Sequence, residues 1–111
     1  MRGIARQKLG YFPLSQKEAE RIRRFLSFRE DGDASSVLDP CAGGGAAMAT
    51  ITSGAKTVTY GIELDAFRAE EARLVLGHVL QGNCFDVQSA VESFSLLFEN
   101  PPLSKRFFPY V

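Results

Sequence analysis

The strongest constraint on the fold is the stretch LDPCAGGGAAM, residues 38–48, where three consecutive glycines separate a short apolar segment from helix-favouring alanines. Glycine loses more conformational entropy on folding than any other residue, so three in a row need a structural reason. Either the turn between a strand and a helix is tight, or a ligand approaches the backbone closely. The length of 111 residues allows one domain with a single core.

Strands and helices are predicted to alternate along the chain. A capping box of Ser15 and Glu18, followed by apolar residues at helical spacing, predicts a first helix over about residues 16–28. Strands are predicted at 36–39, 57–62, 80–84 and 94–98 from apolar and β-branched content. Two more helices are predicted at 46–52 and 86–92, and a third begins at the cap residue Asp65. The buried side of this Asp65-capped helix would be Ala69, Ala72, Val75, Leu76 and Val79. This alternation predicts a parallel sheet flanked by helices.

The chemically suggestive residues fall at the carboxyl ends of the predicted strands, where such sheets bind ligands. They are Asp39 to Gly45, Glu63, Asn83 to Asp86, and Asn100. Glu63 lies 20 residues after Gly43, a spacing at which a carboxylate accepts hydrogen bonds from a ribose diol. A nicotinamide cofactor fits less well, because the GxGxxG pattern would need glycine where this chain has Met48.

The segment FSLLFENPPL, residues 94–103, runs the fourth predicted strand into Asn100-Pro101-Pro102-Leu103. Here the sequence resembles the class I S-adenosylmethionine-dependent methyltransferases that carry an Asn/Asp-Pro-Pro-Tyr motif and methylate amines. Together with KLGYFPLS, LDPCAGGGAA, YGIELDAFRAEEAR and QGNCFDV, the motif resembles a little-characterised bacterial and mobile-element methyltransferase family over nearly all of residues 7–103.

The resemblance implies a partial Rossmann-like methyltransferase fold with about four mostly parallel strands in the order 3-2-1-4, and S-adenosyl-L-methionine as the cofactor. Asp39 would bind the cofactor's amino group, Glu63 its ribose hydroxyls, and Leu64 its adenine. Asn83, or alternatively Asp86, would accept from the adenine amine. The full set of implied cofactor-binding residues is Tyr11, Phe12, Asp39, Pro40, Cys41, Ala42, Gly43, Gly45, Glu63, Leu64, Asn83, Cys84, Phe85 and Asp86.

The resemblance also implies an acceptor site formed by Asn100, Pro101, Pro102 and Leu103. The Asn100 side chain and the Pro101 carbonyl would accept from the substrate amine, most readily that of adenine in DNA or RNA, and orient its lone pair at the methyl group. Leu103 stands where the family has an aromatic residue that stacks on the target base.

The family's fold has seven strands, so the resemblance implies that this chain is its N-terminal, cofactor-binding half: a truncated product, a split gene or a domain fragment. The expected organisation is a basic N-terminal segment and helix at 1–29, an incomplete cofactor-binding domain at 30–103 and a tail at 104–111. The exposed edge of the fourth strand would then be covered by self-association or by the missing half. We expect the isolated chain to bind cofactor but to turn over slowly or not at all.

The net charge of zero conceals an asymmetry. Residues 1–29 hold eight basic and two acidic residues, whereas the remainder holds five basic and eleven acidic ones. Arg21, Arg23 and Arg24 either face nucleic-acid phosphates or form a solvated helix face. No apolar run approaches the roughly 18 residues that span a bilayer, so no membrane partner is expected.

Cys41 and Cys84 have neither CxxC nor metal-ligand spacing, which predicts a cytoplasmic protein without a metal or disulfide framework. We expect Cys41 to pack in the glycine loop, Cys84 in the core, and His78 at the exposed end of a helix. Three functions remain open: a methyltransferase or its cofactor-binding half, a non-catalytic module that binds a small molecule such as S-adenosylmethionine or a nucleotide, and an oxidoreductase-type dinucleotide domain.

Overall fold

The computed structural model describes residues 14–87 and 94–98, which form a four-stranded sheet flanked by helices. All three strand pairings are parallel, and the strand order is β3-β2-β1-β4. The predicted order 3-2-1-4 is therefore confirmed. The strands are β1 (Ser35–Asp39), β2 (Thr57–Glu63), β3 (His78–Gln81) and β4 (Leu96–Leu97).

Residues 14–87 and 94–98 contain three α-helices, of which the first and third begin at their predicted caps, Ser15 and Asp65. They are α1 (Gln16–Phe25), α2 (Ala46–Ile51) and α3 (Ala66–Arg73), with a 3-10 helix at Cys84–Asp86. Ser15 Oγ accepts from the backbone N–H of Glu18 at 3.2 Å, which confirms this half of the predicted capping box. Asp65 caps α3 in the same way, through Oδ2 and the backbone N–H of Arg68 at 2.9 Å. No helix in residues 14–87 and 94–98 combines the length and apolarity needed to cross a membrane.

The core lies on one face of the sheet, between the strands and helices α2 and α3. Val37 of β1 and Met48 of α2 are fully buried there and share one cluster with Ala42, Ala72 and Leu76. Burying such side chains is the main source of stability in a domain of this size.

The opposite face of the sheet is more open. Leu80 of β3 and Leu97 of β4 are each 52% exposed. Tyr60 of β2 stacks on His78 with ring centroids 4.7 Å apart, and the Phe94 ring lies nearly perpendicular to the same tyrosine with its centroid 5.2 Å away.

Helix α1 ends at Phe25, three residues before the predicted end. Leu26 is already extended, and Arg23 donates to the Leu26 carbonyl oxygen at 3.1 Å. The same guanidinium lies 5.5 Å from the ring centre of Phe28, which packs against the core. The early end of the helix allows Phe28 to pack against the core.

The prediction of a longer helix after Asp65 is wrong, because α3 ends at Arg73. Leu76 is buried as expected, but Val75 is 51% exposed and Val79 belongs to β3. The backbone N–H groups of Leu74 and Val75 close the helix on the carbonyls of Glu71 and Ala72.

The reason for the early stop is a tight return to the sheet at Gly77. Its N–H donates to Thr59 Oγ1 at 2.9 Å, and a Cβ at this position would lie 3.2 Å from the Thr59 carbonyl oxygen. His78 therefore begins β3, in register with Tyr60, and does not lie at a helix end.

The later elements are also shifted or shorter. The predicted strand at 80–84 is β3 at His78–Gln81, and the predicted strand at 94–98 contains only the two residues of β4. The predicted helix at 86–92 is replaced, within the described residues, by the 3-10 turn Cys84–Asp86; residues 88–93 lie outside the description. Cys84 is half-buried and is not part of the core.

Gly61 of β2 is predicted to be intolerant of even a methyl group. A Cβ there would lie 2.8 Å from Ala42 Cβ and 2.9 Å from Leu76 Cδ1, both in the core. Gly61→Ala should therefore lower the free energy of unfolding by about 1–3 kcal/mol, the usual cost of overpacking.

Urea denaturation of Gly61→Ala beside Gly82→Ala measures this effect, because a Cβ on Gly82 would meet nothing within 4 Å. Equal free energies of unfolding for the two variants would show that the Gly61–Ala42 contact does not constrain the fold.

Candidate functional site

The loop after β1 turns sharply beneath the carboxyl end of the sheet. Asp39, the last residue of β1, is 2% exposed and its Oδ1 accepts from the Cys41 N–H at 3.0 Å. Gly43 and Gly45 have φ values of 60° and 84°, a left-handed conformation that favours glycine. A Cβ at Gly45 would also lie 2.8 Å from Val75 Cγ2. The tight turn alone therefore explains why position 45 is glycine, without a ligand close to its backbone.

The Glu63 carboxylate joins this loop to the next strand. Glu63 ends β2 and is 5% exposed, and its Oε1 accepts from the Gly43 N–H at 2.8 Å. One step earlier, the Ala42 N–H donates to the Ile62 carbonyl oxygen at 2.9 Å. The two residues separated by 20 positions in the sequence thus meet, and the amide of Gly43, a member of the implied cofactor-binding set, donates to Glu63.

The second oxygen of Glu63 is held by the start of α3. Oε2 accepts from the Asp65 N–H at 2.7 Å and from Arg68 Nε at 3.3 Å. Arg68 is 7% exposed, so this is a buried ion pair. Three donors from two segments therefore hold one carboxylate in place.

The loop after β3 meets the glycine loop through the two cysteines. Burial raises the pKa of the Cys41 thiol to about 12, assisted by the neighbouring Cys84, which also hydrogen bonds to it, and by the charges of Asp39 and Glu63. Cys41 is therefore a neutral thiol at physiological pH and a poor nucleophile. This agrees with a packing role.

Asn83, at the start of the same loop, uses its side-chain oxygen to accept from the Phe85 N–H at 2.9 Å. An amide oxygen has two acceptor positions, so one remains for a ligand. Asp86 is exposed, and the Phe85 side chain is 68% exposed. Both candidate partners of an adenine amine therefore lie in one short, accessible turn.

A cavity of about 650 Å³ opens on the less covered face of the sheet and reaches this edge. Pro40 and Cys84 of the predicted set line it, beside Leu38, Tyr60 and His78 of the strands. The cavity is large enough for a drug-sized ligand.

The structure thus brings together the residues predicted from the ends of the first three strands. Leu64 is half-buried directly after Glu63. Tyr11 and Phe12, and the acceptor-site residues Asn100, Pro101, Pro102 and Leu103, lie outside the described residues.

Sequence reasoning missed Arg68 and Gly61. Arg68 is three residues after the cap Asp65 and five after Glu63, a spacing that points its side chain back to the strand end. That spacing was a usable signal for Arg68. No sequence pattern indicates Gly61, where the absence of a Cβ leaves room for the Ala42 methyl group and the Leu76 side chain.

The sequence profile of the uncharacterised methyltransferase family DUF6094 matches residues 1–106. A search of curated proteins finds no match. Solved structures of methyltransferases are similar in fold, at low sequence identity.

An RNA methyltransferase from Salinibacter ruber, in complex with S-adenosyl-L-homocysteine, superposes with a TM-score of 0.61 at 16% identity, over 88% of this chain and 67% of that one. The methyltransferase subunit of a type I restriction-modification system from Streptococcus thermophilus superposes with a TM-score of 0.60 at 16% identity, over 82% of this chain and 23% of that one. A TehB-like SAM-dependent methyltransferase from Corynebacterium glutamicum has a TM-score of 0.57 at 15% identity, over 89% of this chain and 50% of that one. The chain therefore spans between 23% and 67% of the length of these structures and has their Rossmann-like fold.

The buried Glu63 carboxylate is predicted to be a major source of stability. Glu63→Ala would leave the Arg68 charge and the Gly43 N–H without this partner, and breaking a buried pair costs about 3–5 kcal/mol. Glu70→Ala is the matched control, since Glu70 pairs with Arg73 on the exposed side of the same helix. Exposed pairs contribute at most about 1 kcal/mol.

Urea denaturation of the two variants measures the difference. A Glu63→Ala loss no larger than the Glu70→Ala loss would contradict the role given to this carboxylate.

Proposed function

Because the chain belongs to the uncharacterised methyltransferase family DUF6094, we propose that it binds S-adenosylmethionine at the carboxyl edge of its sheet. In this proposal it contributes to methyl transfer to an amine, with adenine in DNA or RNA as the acceptor. The observation that carries the proposal is the pair of buried carboxylates, Asp39 and Glu63, at the ends of adjacent strands beside a glycine loop.

The hydrogen-bond acceptors at this edge fit the proposed cofactor. Glu63 Oε1 accepts from one described donor, the Gly43 N–H, so an acceptor position remains for a ribose hydroxyl. Asp39, whose charge is buried at the end of β1, suits the cofactor's ammonium group. The oxygen of Asn83 retains an acceptor position for the adenine amine.

When bound, S-adenosylmethionine supplies a methyl group on a sulfonium, which is electrophilic without further activation. The residues of this chain would therefore bind and orient the two reactants, and no nucleophile or catalytic histidine is needed. Asn100 and the Pro101 carbonyl are proposed to accept from the substrate amine, as the resemblance implies.

Two neighbours support a nucleic-acid acceptor: the Salinibacter protein is an RNA methyltransferase, and the Streptococcus protein belongs to a restriction-modification system. The basic side chains on the surface of α1 also support a nucleic-acid acceptor. Arg21 and Arg24 are exposed, and Lys17 continues the same stripe one turn earlier.

Arg23 does not belong to this stripe. Its Nε donates to the Ser53 carbonyl oxygen at 3.0 Å, and its guanidinium also holds Leu26 and Phe28. Of the three arginines proposed to face phosphate, Arg23 is thus committed to the fold, and the proposed phosphate surface is Lys17, Arg21 and Arg24.

Calorimetric titration with S-adenosylhomocysteine and with NAD tests the cofactor assignment. The chain should bind S-adenosylhomocysteine and not NAD, and Glu63→Gln should weaken that binding by about 1–3 kcal/mol, the value of a hydrogen bond to a charged group. Glu70→Gln should leave the affinity unchanged because Glu70 lies in the exposed pair. Binding of NAD without S-adenosylhomocysteine would instead support a dinucleotide-type oxidoreductase domain.

A transfer assay with methyl-labelled cofactor on DNA, RNA and protein then tests the acceptor. Label in the adenine of a nucleic acid is the expected result. Label in protein alone would contradict the nucleic-acid acceptor, and binding without transfer to any acceptor would favour the non-catalytic module.

The basic stripe predicts salt-dependent nucleic-acid binding. The double variant Arg21→Gln, Arg24→Gln should lower the slope of log affinity against log salt by about 2, since each neutralised phosphate contributes about 0.9. The control Arg29→Gln, Arg73→Gln removes the same charge from exposed positions elsewhere. Fluorescence anisotropy across a salt series measures both slopes, and equal slopes would contradict a dedicated phosphate surface.

A further inference from the structure

Arg68 is a buried charge placed where a helix disfavours it. It lies in the first turn of α3, near the positive end of the helix dipole, where basic side chains are destabilising. It is nevertheless only 7% exposed. Buried arginines need a compensating partner, so the position of Arg68 requires an explanation beyond the stability of the helix.

The helix cap does not supply that explanation. Asp65 Oδ2 accepts from the backbone N–H of Arg68, and this bond is independent of the side chain at position 68. The Arg68 side chain instead reaches the preceding strand end, where its Nε lies 3.3 Å from Glu63 Oε2. Its compensating charge is therefore the carboxylate assigned above to the cofactor's ribose.

The donors on Glu63 are divided unequally between its two oxygens. A carboxylate offers about four acceptor positions, two on each oxygen. Oε2 receives two described donors, Asp65 N–H and Arg68 Nε, whereas Oε1 receives one, the Gly43 N–H. The position left open is thus on Oε1, on the side of the glycine loop.

We propose that Arg68 is a positioning residue for cofactor recognition. It holds Oε2 so that the carboxylate cannot rotate, and the open acceptor position of Oε1 stays directed at a ribose hydroxyl. This inference rests on the proposed function, because it assumes that Glu63 binds the ribose of S-adenosylmethionine.

The test compares two ligands that differ only at the ribose: S-adenosylhomocysteine and its 2′,3′-dideoxy analogue. Arg68→Gln should weaken S-adenosylhomocysteine roughly tenfold or more, as expected when a charged hydrogen bond is lost. Its affinity for the dideoxy analogue should stay within about twofold of the unmodified chain, since that ligand has no hydroxyl for Glu63. Arg29→Gln, an exposed arginine whose Nε donates to the Asp33 carbonyl oxygen in the loop before β1, should change neither affinity.

Arg68→Lys provides a second variant, because it keeps the charge but not the planar guanidinium. It should show an intermediate loss for S-adenosylhomocysteine and none for the analogue. Thermal unfolding of each variant identifies any that does not fold. If Arg68→Gln does not fold, the affinities of Arg68→Lys for the two ligands are compared instead.

An equal loss for both ligands would overturn the inference, because it would show that Arg68 only stabilises the fold. Such a result would leave the proposed function intact, since the unmodified chain would still bind S-adenosylhomocysteine. Failure of the unmodified chain to bind S-adenosylhomocysteine would overturn the proposed function and this inference with it.

Discussion

The hydrogen bonds of the Glu63 carboxylate connect the three parts of the structure on which the proposed ligand site depends: the loop after β1, the end of β2 and the start of α3. Oε1 accepts from Gly43 in the loop after β1, and Oε2 accepts from Asp65 and Arg68 at the start of α3. A buried carboxylate with three donors is rigid, because rotation would leave polar groups unpaired in a poorly solvated place. The glycine loop is consequently fixed before any ligand binds, which reduces the ordering cost of binding.

The early part of the fold follows from local sequence signals. β1, β2 and α2 lie within one residue of their predicted bounds, because β-branched runs and the glycine turn mark them directly. The prediction for the region after α3 is wrong, since Val75, Leu76 and Val79 have helical spacing and the local stop signal, Gly77, lies four residues beyond the actual helix end at Arg73. What decides it is the contact of Gly77 with Thr59, which depends on the sheet already being in place.

The candidate site likewise has one part that the sequence predicts and one part that it does not. Its main carboxylates, Asp39 and Glu63, could be predicted because parallel strands bring their carboxyl ends to one edge, and the structure places both there. The partners of those carboxylates could not be predicted with equal ease. The sequence does not show that the Gly43 N–H and the Arg68 guanidinium both bind Glu63, because these contacts depend on which donor reaches the carboxylate in three dimensions.

A crystal structure of the chain with S-adenosylhomocysteine bound would test the central claim most directly, through the distance from Glu63 Oε1 to the ribose oxygens. The account predicts a ribose hydroxyl within hydrogen-bonding distance of Oε1, with the Gly43 and Arg68 contacts retained. A ligand whose ribose lies beyond hydrogen-bonding reach of Glu63, while the carboxylate keeps its three internal donors, would show that Glu63 is a structural residue only.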